Sequence, residues 1–107
     1  MSKVKFVLDP APTFKAKVDI PVHGSDTVSV EFEFKHRSRD AMDELLARVS
    51  AGELKDVDSL REILAGWELD DPFSEESIQK LIQNYQGAAP AIVRKYMAEL
   101  TQARLGN

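Results

Sequence analysis

Cysteine is absent from this chain of 107 residues, and histidine and tryptophan are nearly so, with two and one. The missing cysteine excludes disulfides, thiolate metal sites and a cysteine nucleophile, and it accords with a reducing compartment. No apolar run approaches the roughly 18 residues that a membrane span needs. Met1 is followed by Ser2, Lys3, Val4 and Lys5, with no apolar signal core. The expectation is a cytoplasmic chain with no membrane partner. No glycine-rich phosphate loop, internal repeat or low-complexity tract is present.

Positive charge is also scarce where nucleic acid would need it. The formal net charge is −4, and between Ser38 and Asp70 nine acids face four bases, a local balance of −5. Phosphate binding draws its affinity from a basic stripe. Arg94, Lys95 and Arg104 make a poor phosphate track, so no nucleic-acid partner is expected.

What is present is an ordinary globular balance, 43% hydrophobic and 30% charged, at a length that suits one domain with a modest core. Residues 1–13, ending in "LDPAPT", carry two prolines and little periodicity and read as an N-terminal arm. Residues 14–107 read as a single α+β domain. Phe14, Ala16, Val18, Ile20 and Val22 alternate with polar residues, and so do Val28, Val30, Phe32 and Phe34. With "HGSDT" between them, these runs predict an antiparallel hairpin over 14–34, greasy on one face, with Pro21 marking an edge strand.

A lone hairpin is marginal, and about four helices over 38–105 are expected to cover it. Met42, Leu45, Leu46 and Val49 make a helical stripe that Gly52 stops. A shorter helix starts near Asp58 and breaks at Gly66. In "GWELDDPFSEESIQKLIQNY", Ser74 occupies an N-cap position, Glu75 and Glu76 suit the helix dipole, and Phe73 and Ile78 take the two ends of a hydrophobic staple. Trp67, Phe73, Ser74 and Ile78 thus form a structural joint, with Trp67 closing the core beneath it. Pro90 is placed to start a last helix. The apolar face of that helix, Ile92, Val93, Tyr96, Met97 and Leu100, is broader than one neighbour needs. Part of it is left for a second copy of the chain or a partner helix.

Reactive constellations are weak. Glu68, Asp70 and Asp71 could bind a hard cation, but the spacing lacks the calcium-loop pattern and Pro72 interrupts it, so a solvated loop is expected. His23, Ser25 and Asp26 supply the letters of a hydrolase triad, yet three neighbours on a hairpin tip do not converge as a triad must. His36 and Arg37 read as a polar junction. No enzyme activity, metal or cofactor is expected.

The order "FEFKHRSRDAMDELL", then "GWELDDPFSEESIQKLIQNYQGAAPAIVRKYMAELTQARLGN", resembles the tail assembly chaperones of long-tailed phages. The likeness runs from about Val28 to Asn107 and rests on Trp67, Phe73, Ser74, Tyr85, Pro90 and Tyr96 in sequence. It implies a non-catalytic protein that keeps the tape measure protein soluble in the host cytoplasm and is absent from the mature virion. It also implies recruitment of tail tube protein, in many members through a longer, frameshifted product; a chain that stops at Asn107 looks like the short product or a system without the shift. The expected partner-binding residues are Met42, Leu46, Tyr96, Met97 and Leu100. The rival readings are a permanent tail component such as a terminator or connector, and a small nucleic-acid-binding regulator.

Overall fold

The alternation that begins at Phe14 becomes strand β1 (Thr13–Ile20), paired antiparallel with β2 (Val28–Lys35), in a computed structural model that describes residues 6–101. The register sets Phe14 opposite Phe34, Ala16 opposite Phe32 and Val18 opposite Val30, so the apolar residues of both strands share one face. Lys15 and Lys17 stand opposite Glu33 and Glu31 on the other face. The connecting turn uses Gly24 at φ +73°, a left-handed value that a Cβ disfavours.

Ser38 caps α1 (Arg39–Ser50), its hydroxyl oxygen accepting from the N–H of Ala41 at 3.2 Å. At the far end Gly52 takes φ +76°; its N–H donates to the Val49 carbonyl and that of Glu53 donates to the Arg48 carbonyl, a Schellman stop. Helix α2 (Asp56–Ile63) starts two residues ahead of the expected Asp58. Asp58 instead accepts from the N–H of Lys55 at 3.3 Å and ties down the helix start.

The chain then departs from expectation. Leu64–Trp67 forms a strand, β3, antiparallel to β2, and Gly66 lies within that strand opposite Glu33. The sheet is therefore three-stranded, in the order β1-β2-β3. Four residues are too few to declare a period, and their extended form is fixed by pairing with β2.

Ser74 caps α3 (Glu75–Asn84), its hydroxyl oxygen accepting from the N–H of Ser77 at 3.2 Å. Helix α4 (Ala88–Thr101) begins two residues before Pro90. Proline is tolerated there as well as at the first position, because N–H groups of the first turn have no partner within the helix. The tight link between α3 and α4 brings Gly87 against Pro21, where an added Cβ would lie 2.9 Å from the proline Cγ.

The greasy face of the sheet packs on α2, α3 and α4. Phe32, Phe34, Leu60, Leu64, Ile78, Ile92 and Tyr96 are fully buried there, and each such apolar side chain contributes about 1.5–3 kcal/mol. Phe34 lies 5.5 Å from Phe14 and 5.5 Å from Tyr96, ring centre to ring centre, so an aromatic stack joins the hairpin to α4. Helix α1 buries Met42 and Leu45 and leaves Leu46 and Val49 exposed.

Candidate partner-binding surface

The exposed side chains of α1 decide where a partner could sit. Leu46 and Val49, 38% and 42% exposed, follow Met42 along the helix and leave an apolar strip in solvent. Facing them across a groove of 410 Å³ are Ala89, Pro90 and Val93 of α4, with Leu60 and Ile63 of α2 and Tyr96 among the lining residues. Val93, Met97 and Leu100 recur at i, i+4 and i+7, and Met97 and Leu100 are half-buried. They prolong the strip along α4.

The groove depends on how α1 is held, and a short polar network holds it. Arg37, in the joint between β2 and α1, donates to both the carbonyl and the carboxylate of Glu62, the latter at 2.6 Å. Arg48 on α1 lies 3.7 Å from the other carboxylate oxygen of Glu62. Of the expected polar junction at His36 and Arg37, it is Arg37 that ties the start of α1 to α2. Glu62 and Arg48 were not singled out in the sequence, because their pairing is long-range. Asp43 and Glu44 are exposed on α1, and Asp56 lines the groove.

The five residues expected to bind a partner divide. Met42, Leu46 and Tyr96 line the groove, and Met97 and Leu100 lie outside its lining. Tyr96 requires correction as a contact residue. It is 0% exposed, its ring stacks on Phe34, and its hydroxyl donates to the Lys35 carbonyl at 2.7 Å. It belongs to the core beneath the groove. Met42 is nearly buried, so Leu46 is the most accessible of the predicted set. Val49, Pro90 and Val93 join it, and their helical spacing was the signal available for two of them.

The joint is built around Trp67. Its indole N–H donates to the Asp71 carbonyl at 2.9 Å, closing the acidic loop, and its ring meets Phe73 edge-on at 5.2 Å and Phe32 at 6.3 Å. Ile78 is buried, whereas Phe73 stays at the surface and Trp67 is half-buried against the core. A second groove, of 280 Å³, opens beside Trp67 between the sheet and α3. Among the described residues no group of three or more histidines and acids is placed to hold a metal ion. His23 is exposed and tilts toward the Tyr85 ring at 6.1 Å. On α4, Arg94 is exposed and Lys95 pairs with Glu99 at 3.1 Å, while Arg104 lies outside the described residues. No described helix is long and apolar enough to cross a membrane.

Compared with known proteins, the whole chain, residues 1–107, matches the model of a family described as phage tail assembly chaperone. Searches of curated proteins and of solved structures gave no match.

Proposed function

The chain belongs to the phage tail assembly chaperone family, and from that premise we propose that it binds the tape measure protein and keeps it soluble in the host cytoplasm. In this proposal an amphipathic helix of the client lays its apolar face into the groove between α1 and α4. The observation that carries the reading is the exposed Leu46–Val49 strip facing Pro90 and Val93 across 410 Å³ of apolar space.

The energetics favour many weak contacts over one strong one. Covering Leu46, Val49 and Val93 removes only part of three side chains from water, a gross gain on the order of 3 kcal/mol. Association itself costs at least as much. A single groove therefore binds feebly, and affinity comes from several copies lined along one long client, each site adding through effective concentration. Asp56 in the groove lining, together with the net charge of −4, draws basic client segments and makes binding weaken with salt.

Recruitment of tail tube subunits, and absence from the mature virion, complete the proposed role. No covalent step is required by it. Titrating a tape measure helical peptide onto the protein at low and high salt tests the mode: saturable binding that weakens with salt is expected. Salt-independent binding would remove the electrostatic part, and no binding by any client segment would remove the groove. Detection of the chain in purified particles would favour a permanent tail component.

A further inference from the structure

Each of the three helices around the α1–α4 groove presents one two-turn stripe to it. On α2 the lining residues are Asp56, Ser59, Leu60 and Ile63, at i, i+3, i+4 and i+7. Those on α1 run from Met42 to Val49 and those on α4 from Ala89 to Tyr96, over the same span. The α1 and α4 stripes carry no charge. The α2 stripe is different, polar in its first turn and apolar in its second. Among the described residues, Asp56 is the only charged side chain in the lining.

The fold leaves that charge unanswered. Asp56 is exposed, and among the described residues it forms no ion pair. The cations close to it in sequence are engaged elsewhere or stand outside the groove. Arg48 lies 3.7 Å from Glu62, Arg61 pairs with Glu75 at 3.0 Å, and Lys55 is absent from the lining. The helix dipole accounts for an acid in the first turn of α2, but Asp58 already serves there, accepting from the N–H of Lys55 at 3.3 Å. The dipole does not account for a carboxylate placed at one end of an apolar floor.

We propose, resting on the client-helix reading of this groove, that Asp56 sets the register of the bound helix by pairing with a lysine or arginine of the client. From Asp56 to Ile63 the stripe rises about 10 Å along α2. A helix lying along it meets the carboxylate with one side chain and the apolar floor with others up to two turns away. The segment selected therefore carries a cation at i and apolar residues at i+3, i+4 and i+7, in either chain direction. The uncharged walls on α1 and α4 accept any apolar stripe and do not distinguish one register from the next. Slipping the client by one turn carries its cation from Asp56 onto Leu60, where the charge loses water and gains no partner. A client acid at the same place is repelled by Asp56, so acid-flanked stripes of equal hydrophobicity are rejected.

The test titrates the full chain with two synthetic helical peptides that share this apolar stripe and carry either lysine or glutamate at i. Amide shifts of Leu46, Val49 and Ser59 in NMR spectra report occupancy even when binding is weak. The wild-type chain should prefer the lysine peptide by about two- to fivefold, the range of an exposed ion pair, and added salt should shrink that preference. Asp56→Asn should erase it and Asp56→Lys should reverse it. Asp43→Lys makes the same change of charge on α1 outside the lining, and should keep the wild-type ranking. Equal binding of the two peptides to the wild-type chain would overturn the proposal and leave the groove as a binding site. So would a ranking that Asp43→Lys alters as much as Asp56→Lys does. If neither peptide bound, the groove reading itself would fall, and this register with it.

Discussion

The hydroxyl of Tyr96 donates to the carbonyl oxygen of Lys35 at 2.7 Å, and Arg37 donates to the same hydroxyl at 3.4 Å. One α4 side chain thereby closes the end of β2 and touches the joint that positions α1. Tyr96→Phe should keep the aromatic stack and lose these bonds, costing about 1 kcal/mol of unfolding free energy in urea. Tyr96→Ala should cost about 3–5 kcal/mol. A Tyr96→Ala chain of near wild-type stability would show that the ring is not core. Since charge at this position would unfold the protein, it is the wrong place to probe client binding.

Arg37 and Glu62 should be coupled. Their 2.6 Å contact is shielded, whereas Arg48 reaches Glu62 at 3.7 Å from a more exposed position. A double-mutant cycle with Arg37→Met and Glu62→Gln should return about 1 kcal/mol of interaction. The Arg48–Glu62 cycle should return only about 0.3 kcal/mol. Equal values for both pairs would contradict the assignment of Arg37 as the clamp.

Two glycines should respond to alanine for different reasons. Gly52 has φ +76° with no atom within 4 Å of a built Cβ, so Gly52→Ala should cost about 1 kcal/mol through the backbone alone. At Gly87 the new methyl would lie 2.9 Å from the Pro21 Cγ, and overpacking of that kind costs about 1–3 kcal/mol. Adding Pro21→Ala should recover part of the Gly87→Ala loss and none of the Gly52→Ala loss. Thermal melts of the four variants decide this, and a failure of Pro21→Ala to help would place the strain elsewhere.

Local signals made much of this fold legible. The hairpin follows from strict alternation at Phe14–Ile20 and Val28–Phe34, and the start of α3 from Ser74 with its two following acids. What was not legible depends on distant partners. Leu64–Trp67 is a strand because β2 lies beside it. The broad stripe on α4 reads as partly left over for a partner, whereas Ile92 and Tyr96 within it are fully buried in the chain's own core. Tyr96 therefore read as available although the sheet and Arg37 occupy it. The clamp from Arg37 to Glu62 spans 25 residues, and no local pattern announces it. Around Trp67 the letters gave the joint, while the N–H bond that closes the acidic loop on Asp71 needed coordinates.

The proposal that the α1–α4 groove holds the client is tested by co-expression with the tape measure protein, scoring capture and client solubility together. The wild-type chain should bring down the client and keep it soluble. A Leu46→Asp/Val49→Asp variant, folded by circular dichroism, should lose about tenfold or more in capture, since each buried anchor is worth about 1 kcal/mol. Capture that is undiminished in this variant, or a client that is soluble alone and never captured, would contradict the account.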